Sequence, residues 1–351
     1  SGTHRFYTNK EYQAFVEEEI AWIKNKGIKT FDEYKGISRT GRGTALQAND
    51  RKVVNTILEA WNSYLNANSL YMWQDYANVV NDHINLVNKH FQYDYVFIDE
   101  AQDLSQIQLI SLRKVARKGL VSAADLGQKI YRTDFTWASV GIKIQGGRTK
   151  TLSGAFRSTK EIMDLANSLL KHDSTLNSED IEQEYDAEES SLLPGVLNAE
   201  SLKFETELVA KLIKDIQAQA KEDDWEPTIG ILLFENNRLD GWRKSLYYNN
   251  IQSEIIRDQY GSALTSGVKL LTMHGAKGLE FDYVIISGMN NRFPSLRNRL
   301  EDEITHEIDI NRRLLYVSMT RAKENVYLTY KGEPSRYIGE LDKDLYKFEV
   351  Y

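Results

Sequence analysis

The chain has 351 residues, enough for two domains, and its 41% hydrophobic and 27% charged residues are ordinary for a globular protein. A formal net charge of −7 excludes a protein that coats nucleic acid through bulk electrostatics, but leaves room for a local groove that grips a strand. The absence of cysteine excludes disulfides and thiolate metal sites, and no apolar run approaches the roughly 18 residues of a membrane-spanning helix.

The first ninety residues read as mostly helical. Thr8 and Glu11 form a capping box that predicts a helix through about Lys24. After a turn-rich stretch from Lys35 to Gly43, Val53, Val54, Ile57, Leu58, Trp61 and Leu65 recur at helical spacing, and a third helix is predicted from Trp73 to Lys89. The pattern changes at Tyr93. Tyr95-Val96-Phe97-Ile98 reads as a buried parallel strand, followed by strands near Leu120–Ser122 and Lys150–Leu152. Ser158 and Glu161 predict a capped helix through about Leu170, and Asp173 to Ser191 is an acidic excursion closed by Pro194-Gly195. A second strand–helix series follows, with strands at Ile229–Phe234, Val268–Met273, Tyr283–Ser287 and Val326–Tyr330. Such alternation implies α/β domains with mostly parallel sheets.

Five strings carry chemistry. Asp99-Glu100-Ala101-Gln102-Asp103 follows a strand, where one carboxylate can hold magnesium against phosphates and its neighbour can take a proton from water. Read alone, Asp99-Glu100 is more often an acidic loop capping a strand. Ala124 to Tyr131 offers Gln128 as a polar sensor, with Tyr131 and then Trp137 as aromatics that either stack on a base or belong to the core. In Phe156-Arg157-Ser158-Thr159 the arginine suits phosphate oxygens or simply caps a helix. Leu271 to Phe281 sets Thr272, His274, Gly275, Lys277, Gly278 and Glu280 in one tight loop, which can face two ligands, one on each side. Arg312 to Lys323 is a helix with one buried face and Arg321 near its end.

These strings, in this order, resemble motifs II to VI of UvrD-like superfamily 1 helicases, over about Tyr93 to Tyr330. Phe156 stands where the family usually has tyrosine, and Tyr131 is separated from Trp137 by a few more residues than in the commonest form. The resemblance implies two RecA-like motor domains of the P-loop NTPase type. ATP and Mg2+ would lie in the cleft between them and single-stranded DNA across their tops, with 3′-to-5′ polarity. It makes Asp99 the magnesium anchor, Glu100 the base, and Gln128 a sensor of the terminal phosphate. Arg157 and Arg321 would stabilise phosphate charge, and Gly278 and Glu280 would face the nucleotide. Tyr131, Trp137, Thr272 and His274 would meet DNA. The implied organisation is a helical insertion arm at 1–90, the second half of a first motor domain at 91–152 and a second motor domain at 153–351.

Two departures from the family stand out. The stretch from Asp258 to Val268 is too short for the family's large second insertion. No Gly-x-x-x-x-Gly-Lys-[Ser/Thr] occurs anywhere. The nearest string, Gly36 to Gly41 followed by Arg42-Gly43-Thr44, has arginine for lysine and no strand before it, so Arg39 and Arg42 are assigned either to DNA contact or to a plain surface loop. The expectation is an incomplete first motor domain whose sheet exposes an edge or an apolar face, with the phosphate loop supplied by an upstream segment or a second chain. Alone, the chain is expected to be a poor ATPase. The alternative is a catalytically inactive helicase-like module that binds DNA or a protein such as a nuclease or polymerase. The residues do not distinguish DNA from RNA, and the cytoplasm is the default location.

Overall fold

The computed structural model describes residues 4–39, 42–86, 88–124, 136–142, 158–174, 187–257, 265–294, 296 and 300–350, with Glu11 and Phe91 described by backbone alone. The chain divides into two compact units: Ser1–Thr151 with Leu296–Ile310, and Leu152–Ser295 with Asn311–Tyr351.

Unit 1 opens with helices at Arg5–Thr8 (α1), Lys10–Lys26 (α2), Phe31–Gly36 (α3), Ala48–Ala67 (α4) and Asp75–His83 (α5). Thr8 closes α1 rather than capping α2, and its hydroxyl turns back to the His4 carbonyl. The third predicted helix is shorter than expected, because short 3-10 turns at Ile84–Leu86 and Lys89–Phe91 replace its second half. Phe15, Val16, Ile20 and Ile23 of α2 pack on Tyr34 and Val54 to make the core of this layer.

A single parallel βαβ turn follows: β1 (Tyr93–Ile98), α6 (Gln106–Val115) and β2 (Ala116–Ser122). Ser105 and Gln108 form a reciprocal capping box that starts α6. Side chains alternate across a strand. Val96, Ile98 and Leu120 therefore join Leu109 of α6 in one cluster, while Tyr93, Tyr95, Phe97 and Val121 point the other way, 61%, 59%, 76% and 55% exposed. Parallel sheets are ordinarily covered on both faces. Among the described residues this one is covered on one.

Unit 2 is built on seven parallel strands in the order β5-β6-β4-β7-β8-β3-β9. They are β3 (Gly195–Ala199), β4 (Thr228–Leu233), β5 (Ser253–Ile255), β6 (Gly267–Thr272), β7 (Phe281–Ser287), β8 (Ala322–Lys331) and β9 (Lys347–Val350). The helices are α7 (Lys160–Leu170), α8 (Leu202–Glu222), α9 (Leu239–Tyr248), α10 (Glu301–Met319), whose residues 301–310 group with unit 1, and α11 (Arg336–Glu340). β4 and the second half of β7 read as near-continuous apolar runs because both faces are buried. The predicted strand at Lys150–Leu152 lies outside the described residues.

Gly230 in β4 makes room for a neighbour. A Cβ there would come within 2.8 Å of the Phe281 ring, which lies flat on this strand. Gly230→Ala gains strand propensity but crowds a wholly buried ring, and the crowding should win, for a net loss of ~1–2 kcal/mol. Urea unfolding checks this. A lower midpoint is expected, and an unchanged one would mean that the ring moves aside freely.

No described helix is long and apolar enough to cross a membrane.

Candidate functional site

In unit 1, β1 delivers two carboxylates to its carboxyl end. Ile98 is buried, Asp99 is exposed, and Glu100 takes the left-handed conformation at φ 52°. For a residue with a side chain this costs on the order of 1 kcal/mol, the kind of strain that gathers at functional sites. The turn is held by its own backbone: Ala123 donates to the Ile98 carbonyl (2.8 Å) and Ala101 to the Ala123 carbonyl (2.9 Å). Asp99 Oδ1 accepts from the Glu100 amide at 2.9 Å, and Gln102, 2% exposed, donates through Nε2 to Glu100 Oε2. Two adjacent carboxylates at the carboxyl end of a parallel strand suit magnesium, which takes one or two carboxylates and keeps its other positions for water and phosphate. Among the described residues no group of three or more His, Asp or Glu is placed to hold a metal by itself, so a phosphate-bound ion fits this site better than a protein cage.

Gln128 and Tyr131 lie outside the described residues. Trp137 begins a short 3-10 turn and is partly buried against Ile98, Leu109 and Val140. The ring is thus half-buried, with one side on the core of unit 1 and the rest exposed.

The basic turn is also corrected. Arg39 grips Glu19 with two bonds of 2.6 Å, Arg42 Nε reaches the same carboxylate at 3.2 Å, and Tyr34 donates to it at 2.9 Å. Glu19 is wholly buried, and the two arginine side chains are only 6% and 3% exposed. Both guanidinium groups also lie over the Phe15 ring. A buried carboxylate needs such compensation, so neither arginine is presented to DNA. Burial and the neighbouring Glu19 charge push the Tyr34 hydroxyl's pKa upward. The clue in the sequence was Glu19 itself, an acid four residues after Phe15 on the apolar stripe of α2.

In unit 2 the loop from Thr272 to Phe281 has an unusual course. β6 and β7 both run parallel to β4, which lies between them. Residues 273–280 must therefore travel from the carboxyl edge of the sheet, where β6 ends, to the amino edge, where β7 begins. Met273 donates to the Leu233 carbonyl at 2.8 Å, extending the ladder by one residue. Thr272 then closes a tight turn, accepting from Gly275 through Oγ1 (3.0 Å) and from Ala276 through its carbonyl (3.0 Å). Met273 and Ala276 are buried and pin the loop, whereas His274, Gly278 and Glu280 are exposed. Gly278 has φ +79°, with open space where a Cβ would stand.

At the amino edge the loop meets two other strings. Phe281 donates to the Arg321 carbonyl at 3.0 Å, and Glu280 lies 3.6 Å from Lys323. Ser158 donates to the Ala322 carbonyl at 2.7 Å. The hydroxyl therefore does not cap α7, which starts after Thr159 without a side-chain cap; it ties residue 158 beside Arg321. Arg157 itself lies outside the described residues. Arg321 is 1% exposed, and its Nε donates to the Val317 carbonyl at 3.0 Å. It is desolvated rather than extended into water, a setting in which a charge-assisted bond is strong. The other arginines of that string are structural. Arg312 makes a two-point pair with Glu340 (2.8 and 3.0 Å), and Arg313 makes one with Asp173 (2.7 and 3.0 Å).

At the carboxyl edge His274 is exposed, with its ring 6.1 Å from Phe234, which directly follows β4. Phe234 in turn packs edge-on against Phe293 at 4.8 Å. The sequence reading missed Phe234 and the role of Ser158; the first is legible only once β4 and β6 are known to be neighbours.

Comparison with known proteins fits this arrangement. The UvrD/REP helicase N-terminal domain model matches residues 4–142, and the UvrD-like helicase C-terminal domain model matches residues 257–333. The chain is 25% identical to a probable DNA helicase of Mycoplasma pneumoniae, an alignment covering 98% of this chain and 68% of that protein. It is 38% identical over 156 residues to a probable DNA helicase II homolog of Mycoplasma capricolum, covering 38% of this chain and 21% of that one. The ATP-dependent DNA helicase PcrA of Staphylococcus epidermidis is 41% identical over 92 residues, 23% of this chain and 12% of the relative. The chain thus spans about a fifth of the M. capricolum protein and about two thirds of the M. pneumoniae one. Among solved structures, the C-terminal domain of a possible DNA helicase from Lactobacillus plantarum is 22% identical with a TM-score of 0.39, covering 56% of this chain and 99% of that one. With both the N-terminal and the C-terminal domain models matched in order, the chain belongs to the UvrD-like family of superfamily 1 helicases.

Proposed function

We propose that this chain is the nucleotide-hydrolysing and strand-gripping part of an ATP-driven, 3′-to-5′ DNA translocase or helicase, and that it turns over ATP only when a phosphate loop is supplied to it. The observation that carries this reading is the loop 273–280, which runs from the carboxyl edge of the unit 2 sheet to its amino edge. One end presents Thr272 and His274, suited to a DNA backbone. The other sets Gly278 and Glu280 beside Arg321, suited to a nucleotide. A loop joined to both edges can make a change at one ligand felt at the other.

In unit 1, Asp99 would hold magnesium with the nucleotide's phosphates, and Glu100, fixed by Gln102, would accept the proton of the attacking water. In unit 2, Arg321 would offset phosphate charge, while Arg157, Gln128 and Tyr131 keep the roles that the family resemblance implies. Bound magnesium supplies charge neutralisation at the phosphates. The absence of a Gly-x-x-x-x-Gly-Lys string favours a second reading, a module that binds DNA or protein without hydrolysis.

Separating the two ends of the loop tests the first reading. In the chain joined to a phosphate-loop segment, Glu280→Ala should raise the KM for ATP several-fold and leave single-stranded DNA affinity within about twofold. Thr272→Val with His274→Ala should do the reverse. Equal effects of both changes on both ligands would contradict a loop with two faces.

A further inference from the structure

Next to the exposed end of that loop stand two arginines that none of the recognised strings contains. Arg238 ends the 3-10 turn after β4, immediately before α9. Its guanidinium lies flush against Gly288, just beyond the end of β7: Nη1 is 2.9 Å from where a Cβ on Gly288 would stand, and Gly288 has φ +83°. Only glycine leaves the space and adopts the backbone that this contact requires. From within the fold the same turn is held by Glu205, wholly buried, whose Oε1 accepts from the Gly288 amide (2.8 Å) and from Thr329 Oγ1 (2.8 Å). Arg238 therefore sits on a rigid bed.

Arg292 stands in the loop that continues from Gly288, exposed, with its amide bonded to Asn290 Oδ1 at 3.0 Å. The next residue, Phe293, packs on Phe234, and Phe234 is the ring that touches His274. His274, Phe234, Phe293 and the two arginines thus share one neighbourhood at the carboxyl edge of the sheet. Among the described residues neither guanidinium has a hydrogen-bond or ion-pair partner. Nearby Arg243 and Arg257 differ in this respect, since both are paired with Asp240. Glu235 and Glu333 are exposed on the same edge, so any anion held here is held by local contacts, not by a broad positive field.

We propose that Arg238 and Arg292 bind backbone phosphates of the single strand that passes Thr272 and His274. Planar guanidinium forks suit phosphate oxygens, ligands of parallel α/β sheets gather at the carboxyl ends of strands, and basic side chains beside aromatic rings are the common make-up of a single-strand groove. The inference rests on the proposed function, because it takes the strand to run along this edge.

The test is fluorescence anisotropy with a labelled oligo-dT of about 20 nucleotides, on the full 351-residue chain, from low to moderate salt. Arg238→Ala with Arg292→Ala should weaken binding roughly tenfold and flatten the log-affinity against log-salt slope by about 1.4, two contacts at ~0.7 each. Lys214→Ala, on the exposed side of α8, should change neither. A thermal midpoint within a degree or two of the parent shows that the double variant is folded. If the double variant binds with unchanged affinity and slope while Thr272→Val with His274→Ala weakens binding, the inference is overturned and the proposed function stands. If neither pair weakens binding, the strand does not use this edge and both fall.

Discussion

Glu100→Gln is expected to lower the DNA-stimulated ATPase of the motor, once its phosphate loop is supplied, by 10² to 10⁴, roughly the range attributed to a positioned general base. The change is a narrow one. Glutamine keeps the volume and an oxygen able to accept from Gln102, so the left-handed turn at residue 100 and the bonds from Ala101 and Ala123 should survive. What it removes is a group able to take a proton. Binding of a fluorescent ATP analogue should therefore stay within a few-fold of the parent while turnover collapses. Asp99→Asn should instead weaken magnesium-dependent nucleotide binding itself. Retention of full turnover by the Glu100 variant would remove that residue from the chemistry.

The elements most legible from the sequence were those dominated by burial. β4, β6 and β7 are largely apolar runs, and the residues read as strands there fall within one or two positions of the strands observed, whereas β8 begins four residues before Val326 because Lys323, Glu324 and Asn325 carry no apolar signal. Three strands were not legible, each for its own reason. β3 is five residues long and directly follows Pro194, so it merged with the acidic excursion before it. β5 has three residues, too few for any periodicity. β9 is an edge strand whose four residues are all exposed and alternate charge with apolar side chains, leaving no burial signal to read.

The candidate site divides along the same line. Asp99, Glu100 and the 271–281 loop stand at strand ends, so reading the strands also located these residues. Arg39, Arg42 and Ser158 were misread because their partners are distant in sequence or in another element. Glu19 lies 20 residues from Arg39, and the Ala322 carbonyl lies 164 residues from Ser158. A basic turn and a buried double ion pair look alike until the acid between them is placed. The edge residues Phe234, Arg238 and Arg292 become candidates only when parallel pairing brings the ends of β4, β6 and β7 together.

The larger expected effect concerns the phosphate loop. Backbone amides of such a loop cradle the phosphates, its lysine reaches the β and γ positions, and its hydroxyl helps hold magnesium. None of these groups has a counterpart in a sequence without Gly-x-x-x-x-Gly-Lys-[Ser/Thr]; in the proposed reading Asp99 would then hold magnesium without them, and a lone carboxylate holds magnesium weakly. In the proposed reading, a strand and helix bearing the loop would bury the face of β1 and β2 on which Phe97 is 76% exposed among the described residues, contributing ~25 cal/mol for each Å² removed from water. Joining such a segment ahead of residue 1 should therefore raise both the thermal midpoint and the activity.

The most direct measurement is the rate of ATP hydrolysis, with saturating single-stranded DNA, by the 351-residue chain alone and by the chain joined to that segment. The chain alone should stay at background, and the joined protein should exceed it by about 10³ or more, reaching the common enzyme range of ~1–10³ s⁻¹, with the gain lost on Glu100→Gln. DNA-stimulated hydrolysis by the chain alone, abolished by the same substitution, would contradict the dependence on a supplied phosphate loop. No hydrolysis by the folded joined protein would contradict a motor altogether and leave a binding module.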